Sequence, residues 1–427
     1  MNSVTCNSHI SILFTERIGV SLLILMPLIS LMNIWEVATL NNLSIRGIDL
    51  LFLLAWSIWI QHILLYNKIR RNVLLFLGLV LTFFLISLVG LIVLPDYQIH
   101  WPSMLRFIQT LLWGALALSF VKSNRDLDII TGNIIVAGAI LGLFSIYLLL
   151  THSGLHRIAG FFSAAGGEGL GRQASFNEIG ALYALASLLS LCYLIRQRKN
   201  SQRWKVITFT IGFVLNIIGL VLVQSRSAFI AFVIGGFVLI LPEVKTLLKG
   251  LFIYARVNKQ AIIYSIIILT SIFILASSIY FLEVNRILRT FLVGSSEYVS
   301  MHTRFILWNE GVKVWLNNAS SFLLGYGFRS TYRFIEAESA HNFFLNIGLW
   351  LGIAGLIPMT ILVMWPTIKA AKRIKDYEIA RIIIAASSVA LVVSMFGNVL
   401  VDPFYGGCTF LVLYGAFGVL SNKKQRI

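Results

Sequence analysis

The feature that most constrains the fold of this chain is a series of twelve apolar windows along its 427 residues. Each window is close to the length of about 20 residues with which a helix crosses a hydrocarbon core of roughly 30 Å. The windows lie near residues 17–35, 48–66, 73–94, 103–121, 129–150, 177–195, 205–223, 227–243, 261–282, 341–365, 380–401 and 403–421. The sequence therefore predicts an all-α, polytopic membrane protein with about twelve transmembrane helices.

The composition excludes a soluble globular protein. Hydrophobic residues make up 58% of the chain and charged residues only 12%, and the mean hydropathy is +0.87. A soluble fold of this composition would expose large apolar patches to water. The sequence shows no convincing internal repeat and no low-complexity tract, so we predict a single integral membrane domain over residues 1–427.

The basic residues predict the orientation of the spans. Most of the 34 Lys and Arg residues lie on alternate loops, with the densest clusters at 67–72, 196–205 and 367–381. Short cytoplasmic loops carry the excess of positive charge, so these loops and both termini are expected on the cytoplasmic side. The net charge of +17 reflects this topology and attraction to anionic membrane lipids, and we expect no binding of nucleic acid.

The outward loops, which begin with 36–47, include two long ones at 151–176 and 283–340. Long loops in compact proteins usually carry function. Within the second, apolar side chains recur at helical spacing, which predicts an amphipathic helix at the membrane surface. These side chains are Phe305, Trp308, Val312 and Trp315. We expect the loop 283–340, before the tenth span, to carry part of an active site.

Six arginines map to the outward side, where positive charge is normally sparse: Arg157, Arg172, Arg226, Arg304, Arg329 and Arg333. A guanidinium group binds phosphate in two places and keeps its charge when partly desolvated. Arg226 lies in a tight turn, Gln224-Ser225-Arg226-Ser227-Ala228, at the outer interface. These arginines predict an anionic ligand. The alternatives are snorkelling or a carboxylate partner for Arg226 and structural pairing for Arg157 and Arg304. Arg172, Arg329 and Arg333 are expected to be solvated loop charges.

A histidine is expected to open the tenth span. His341 follows Ser339, which is a plausible helix cap, and comes after the turn Gly325-Tyr326-Gly327, whose glycines allow a close approach of backbone to a ligand. The partial positive charge of a helix N-terminus and neighbouring arginines disfavour imidazolium, so the ring should be neutral and able to accept a proton. The alternative is an ordinary hydrogen-bonding residue at the start of a helix.

The three cysteines, Cys6, Cys192 and Cys408, match no metal-binding spacing. The outward loops also carry no paired aspartate cluster. We therefore predict no disulfide, no metal site and no cofactor.

The order of the outward motifs resembles the O-antigen ligase and O-antigen polymerase superfamily, over roughly residues 150–365. The motifs that carry the resemblance are Arg157-Ile158-Ala159-Gly160 with Asn177 and Gly180, Ser225-Arg226-Ser227-Ala228, Arg304 with Trp308, Gly325-Tyr326-Gly327, and His341-Asn342 with Leu345, Gly352 and Gly355. Each motif alone is weakly specific, and the specificity comes from their order, spacing and common membrane face.

The resemblance implies a glycosyltransferase of the bacterial inner membrane that works on the periplasmic face without a metal. Its donor would be a glycan on undecaprenyl pyrophosphate, and its acceptor a sugar hydroxyl on lipid A core or on a second lipid-linked glycan. By position in the motifs, Arg226, Arg304 and His341 are the expected catalytic residues, and Arg157 and Asn342 join the two arginines in binding substrate. Arginines stabilise charge on a departing pyrophosphate, and a neutral histidine removes the acceptor proton, with inversion at the sugar.

Two questions about function stay open at the level of sequence. A ligase and a polymerase differ in the acceptor, and the single long loop with the compact spacing from Gly-Tyr-Gly to His-Asn favours the ligase. A lipid-glycan flippase or other transporter is the alternative from another class. Transporters usually have broken helices, repeated halves or charges at mid-membrane, and we expect none of these here. A purely structural scaffold gives no reason for outward arginines.

Overall fold

The fold is taken from a computed structural model of the full chain. It describes residues 2–31, 36–40, 43–66, 69–151, 176–197, 203–223, 225–241, 296–329, 340–374, 378–401 and 405–424. The helices in chain order are α1 (Asn2–Leu31), α2 (Gly47–Tyr66), α3 (Arg71–Val93), α4 (Trp101–Phe120), α5 (Asn124–Thr151), α6 (Phe176–Gln197), α7 (Arg203–Val223), α8 (Arg226–Ile240), α9 (Ser296–Trp315), α10 (Ala319–Leu324), α11 (Phe343–Ala371), α12 (Glu378–Ser394) and α13 (Tyr405–Lys424).

Eleven of the twelve apolar windows overlap one of these helices, and the twelfth, 261–282, lies outside the described residues. Seven described helices are long and apolar enough to cross a membrane, namely α2, α3, α4, α5, α6, α7 and α11. A shorter apolar helix, α8, has 15 residues. The fold is therefore helical and consistent with a polytopic membrane protein, while the count of twelve spans and their orientation stay predictions.

The described part of the chain departs from an all-α fold at one hairpin. Strands β1 (Glu36–Leu40) and β2 (Leu43–Arg46) pair antiparallel between α1 and α2. The register joins Glu36 to Arg46 and Leu40 to Leu43. A loop alone had been expected at 36–47. The valine, threonine and isoleucine of these short runs favour extended backbone, which explains the hairpin.

The core lies among helices from both ends of the chain. Most side chains of α4, α6, α12 and α13 are buried, whereas α2, α3 and α7 have many large apolar side chains on the outside, such as Ile92 and Trp204. In lipid, helices associate through close packing and internal hydrogen bonds because the surroundings are as apolar as the side chains. The buried Tyr414 of α13 is an example: its ring packs edge-on against Phe76, and its hydroxyl donates to the Leu362 carbonyl at 2.6 Å.

Helix α11 is broken at Gly352, where the backbone has a left-handed φ of 64° inside an otherwise regular helix. In a continuous helix, the carbonyls of Leu349 and Trp350 would accept hydrogen bonds from residues four positions later. Here they accept from the N–H groups of Tyr326 and Gly327, at 2.8 and 3.0 Å. The prediction that this protein has no broken helix is therefore wrong.

Residues 326–328, which supply the hydrogen bonds at the break, lie between the backbone of α11 and that of residues 98–100. On its far side, the Tyr326 and Phe328 carbonyls accept from Gln98 and His100 at 3.3 and 3.0 Å. A Cβ atom at Gly327 would overlap the Gln98 backbone, and one at Gly325 would overlap the backbone of Trp350. The Gly-Tyr-Gly turn does bring backbone close to another group, as its glycines allow, but in this structure that group is the protein's own backbone.

The predicted orientation can be tested at the two ends of α11. Asn317 precedes this helix on the loop that is predicted to face outward, Lys372 follows it, and both are exposed. In a protein with Cys6 replaced by serine, Asn317→Cys is expected to react with an impermeant maleimide added to spheroplasts, whereas Lys372→Cys reacts only after the membrane is permeabilised. The native Cys192 and Cys408 are buried and should stay silent. The reverse labelling pattern would contradict the orientation and the outward position of the site.

Candidate functional site

A helix, α9, is present where an amphipathic helix at the membrane surface was predicted. Leu307 is buried and Trp308 partly buried, whereas Phe305 and Val312, which were expected on the apolar face, have 53% and 40% of their surface exposed. Helix α9 packs against α11 through the turn that carries Arg304 and Trp308, and the exposed Phe305 ring lies beside that of Trp308, with ring centroids 5.4 Å apart. The structure therefore places Arg304 at the packed face.

Trp308 binds the backbone just before His341. Its indole Nε1 donates to the Ala340 carbonyl at 2.8 Å. The Ala340 N–H donates to Oδ1 of Asn346 at 3.1 Å, and Nδ2 of Asn346 donates to Oδ1 of Asn398 at 2.6 Å. Ala340 and Asn346 have no exposed surface. Both polar groups of Ala340 are thus held by side chains from two different helices.

His341 lies just outside α11 rather than opening it. The helix begins at Phe343, and its N-cap is Asn342, whose side-chain oxygen accepts from the Leu345 N–H at 3.1 Å. The predicted cap, Ser339, is outside the described residues. His341 has a φ of 51°, a left-handed conformation that costs a residue with a Cβ atom about 1–2 kcal/mol. The surrounding contacts must hold the residue in this conformation.

Arg304 and His341 form the electrostatic centre of the site. Partial burial lowers the pKa of His341 below its ordinary 6.5, and the positive charge of Arg304 lowers this pKa further. The ring still has an exposed surface, so solvent weakens both effects, and the direction agrees with the predicted neutral imidazole. Burial also lowers the pKa of Arg304, although a guanidinium remains charged. No carboxylate among the described residues lies within ion-pair distance of Arg304.

A second polar cluster joins the beginnings of α6 and α8. Oδ1 of Asn177 accepts from the hydroxyls of Ser225 and Ser227 at 3.1 and 3.2 Å. These serines flank Arg226, which is the first residue of α8 and is partly buried. A Cβ atom at Gly180 would lie 2.6 Å from that of Ser225, so the glycine allows the two helices to approach closely. The turn is therefore fixed by both serines, and Arg226 extends from a rigid base.

The segment 396–398 connects this cluster to the His341 region. The Phe396 carbonyl accepts from Nδ2 of Asn177 at 3.2 Å. The centroid of the Phe396 ring lies 6.1 Å from that of the Trp308 ring. Asn398, two residues later, binds Asn346. The N-terminal ends of α6, α8 and α11 consequently lie at the same end of the protein, where their partial positive charges favour an anion.

Three residues of this network were not identified from the sequence: Asn346, Phe396 and Asn398. A span was predicted over 380–401, but α12 ends at Ser394, and Phe396 and Asn398 lie in the turn that follows it. Asn346 had a usable signal, because a polar side chain inside an apolar span normally has a specific partner. The partners of all three are distant in sequence, and no local pattern identifies them.

The structure brings together most of the predicted site. The positive charge of Arg304 acts on His341, Arg226 lies at the connected serine turn, and Asn342 caps α11. Arg157, Arg172 and Arg333 lie outside the described residues. Arg329 was expected to be a solvated charge, but its Nη1 donates to the Ser103 hydroxyl at 2.9 Å and it is partly buried.

The described residues contain no group of three or more His, Cys, Asp or Glu side chains that could hold a metal ion. Comparisons with protein-family models, with curated proteins and with solved structures gave no match. The interpretation of this site therefore depends on its own geometry and on the resemblance of its motifs.

Proposed function

We propose that the protein is a metal-independent, inverting glycosyltransferase of the bacterial inner membrane that takes a glycan from undecaprenyl pyrophosphate at the periplasmic face. The observation that carries this proposal is that the positive charge of Arg304 acts on His341, in a region that Asn177 connects to the serine turn of Arg226. His341 is a neutral base, and Arg304 is a cation with no carboxylate among the described residues within ion-pair distance. This combination suits a reaction in which a proton is removed and an anion departs.

The chemistry assigns separate roles to these groups. The acceptor hydroxyl attacks C1 of the donor sugar from the side opposite the pyrophosphate, and His341 removes its proton. The C1–O bond to the pyrophosphate breaks, and its electron pair leaves with the phosphate oxygen. Arg304 and Arg226 stabilise that charge, with Arg157 and the Asn342 amide as further substrate contacts. A single displacement of this kind inverts the sugar.

The favoured acceptor is the sugar of lipid A core, which makes the protein an O-antigen ligase in lipopolysaccharide biosynthesis. The long loop before α11 and the short distance in sequence from Gly-Tyr-Gly to His-Asn support this choice. Lipopolysaccharide from a strain that lacks the protein tests it. Core without O-antigen, together with accumulated lipid-linked polymer, is expected for a ligase, whereas core that carries a single repeat would indicate an O-antigen or other surface-polysaccharide polymerase.

The broken helix α11 gives the transporter alternative a specific observation in its favour, because discontinuous helices line the substrate sites of many transporters. In this protein the Leu349 and Trp350 carbonyls at the break already accept hydrogen bonds from Tyr326 and Gly327. Purified protein in vesicles separates the two functions. A transferase forms a new glycosidic bond between added donor and acceptor, and a flippase moves the donor across the membrane without forming one.

Arg226→Lys is expected to lower the rate of transfer roughly 10- to 100-fold while the protein folds normally. An ammonium keeps the charge but cannot form the two-point contact of a guanidinium with phosphate, and a hydrogen bond to a charged group is worth about 1.5–3 kcal/mol. The matched control is Arg17→Lys, an exposed arginine on α1, which should leave the rate unchanged. Full activity in Arg226→Lys would mean that Arg226 acts only as a general positive charge.

A further inference from the structure

Two hydrogen-bonding side chains, one buried and one partly buried, act on the backbone of Ala340 in this apolar protein. Asn346 is completely buried in a candidate membrane-spanning helix, and a buried amide is costly unless its groups are paired. Its oxygen accepts from Ala340 N–H, and its nitrogen donates to Asn398. Trp308 donates to the carbonyl on the other side of the same residue. Helix packing alone does not require two polar side chains to bond the same alanine, with a third side chain holding one of them.

The position of that alanine explains the arrangement. The Ala340 carbonyl belongs to the peptide group that precedes His341, and Asn342 is held by its role as the cap of α11. Both neighbours of His341 are therefore fixed, and the residue between them has a left-handed φ of 51°. A histidine released from these contacts would return to an ordinary backbone conformation, and its ring would point elsewhere.

We propose that Trp308, Asn346 and Asn398 are positioning residues that hold the His341 ring beside Arg304 by fixing the backbone of Ala340. The catalytic meaning of this arrangement rests on the proposed function, in which His341 is the general base. The positioning itself does not depend on that function, because the place of the ring in the structure is the same whatever reaction the protein catalyses.

The pKa of the His341 ring is the quantity to measure, because it would not change if the three positioning residues only stabilised the fold. Arg304 on α9 is the charged side chain among the described residues that acts on this ring. If the ring moves away from Arg304 and toward solvent, its pKa should rise toward the ordinary 6.5. Loss of packing without reorientation of the ring would lower the stability of the protein and leave the pKa where it was.

Trp308→Phe is the central variant, since it removes the indole N–H but keeps an aromatic ring against Phe396. The full-length protein in lipid is treated with diethyl pyrocarbonate over a range of pH, and modification of the His341 peptide is followed by mass spectrometry. Only the neutral ring reacts, so the midpoint reports the pKa. We expect a midpoint below 6.5 in the wild type and a higher one in Trp308→Phe.

The same helix offers a matched control. Nε1 of Trp315 donates to the Phe322 carbonyl at 3.2 Å, so Trp315→Phe also removes an indole hydrogen bond from α9 but leaves Ala340 untouched. Its midpoint for His341 should equal that of the wild type. Equal midpoints in all three proteins would overturn the proposal. Where Trp308→Phe does not fold, Asn398→Ser takes its place, since it withdraws the acceptor that orients Asn346; it is expected to raise the midpoint by less, and an unchanged midpoint would again overturn the proposal.

Transfer kinetics distinguish failure of the positioning from failure of the proposed function. With the function as proposed, Trp308→Phe should lower kcat on the order of 10²-fold, leave KM for the lipid-linked donor nearly constant, and move the acidic limb of the pH profile to higher pH. A wild-type protein that transfers no glycan would refute the function but leave the midpoint comparison valid. A kcat that falls while the midpoint stays constant would refute the positioning alone.

Discussion

The His341→Ala protein is expected to fold, to bind the undecaprenyl-pyrophosphate-linked donor, and to transfer its glycan about 10² to 10⁴ times more slowly than the wild type. The reason is the separation of roles within the site. In the proposed function, Arg304 and Arg226 provide the positive charge for pyrophosphate, whereas the imidazole acts only on the acceptor hydroxyl. The measurement is single-turnover transfer by purified protein in lipid, with donor binding determined separately.

The pH dependence of the wild type follows from the same assignment. A general base must be neutral, so the rate should be constant above the pKa of His341 and fall as the pH drops through it. Because burial and Arg304 hold that pKa below 6.5, the fall should come below pH 6.5 rather than above it. The control is His302→Ala, an exposed histidine on α9, which should change neither rate nor profile. Near wild-type transfer by His341→Ala would make His341 a hydrogen-bonding residue and not the base.

Among the single substitutions considered for this protein, Gly327→Ala is expected to lower the free energy of unfolding the most. Gly327 has a φ of 103°, and an added Cβ atom would overlap the Gln98 backbone on one side of the segment that fills the break in α11. The backbone strain alone costs about 1–3 kcal/mol. The overlap adds to it because Tyr326 and Gly327 are hydrogen-bonded to α11 on one side, and Gln98 is hydrogen-bonded to Tyr326 on the other. The expected result is a lowered unfolding midpoint in detergent and a reduced yield of folded protein.

The matched glycine for this test is Gly78 in α3, where an added Cβ atom has no neighbour within 4 Å. Gly78→Ala should stabilise the protein by up to about 0.5–1 kcal/mol, since alanine loses less conformational freedom than glycine in a helix. The two variants introduce the same methyl group and are expected to act in opposite directions. Equal midpoints for both would show that the contact between Gly327 and Gln98 does not constrain the fold.

The extent to which the sequence predicted this fold depends on the range of the interactions. The helices followed from apolar length, because a span is decided by about 20 consecutive residues and needs no knowledge of its neighbours. The break at Gly352 did not follow, since the residues that satisfy it are Tyr326 and Gly327, outside the helix. The true end of α12 at Ser394 was also missed, because the apolar run continues through Val401 although the helix does not.

The candidate site shows the same division. The sequence identified Arg304 and Arg226 because positive charge is unusual on the predicted outward side and indicates an anion. It identified His341 from its predicted place at the start of a span. Their arrangement required the structure, because Trp308 and Ala340 are 32 residues apart and Asn346 and Asn398 are 52 apart. The cap of α11 was placed at Ser339 when it is Asn342. Local sequence alone does not decide which of two polar residues three positions apart takes that position.

The hydrogen bonds at the break in α11 also bear on the order in which the chain assembles. The Tyr97 hydroxyl donates to the Trp350 carbonyl across 253 residues of sequence, at 3.3 Å, and Gln98 pairs with Tyr326. A helix interrupted in the bilayer cannot leave its carbonyls unsatisfied in hydrocarbon. Residues 97–100 are synthesised and inserted long before α11, so they are already in place as part of a template on which α11 and the 326–328 segment complete their backbone pairing. Separately made halves of this protein should therefore mature only when they meet within the membrane.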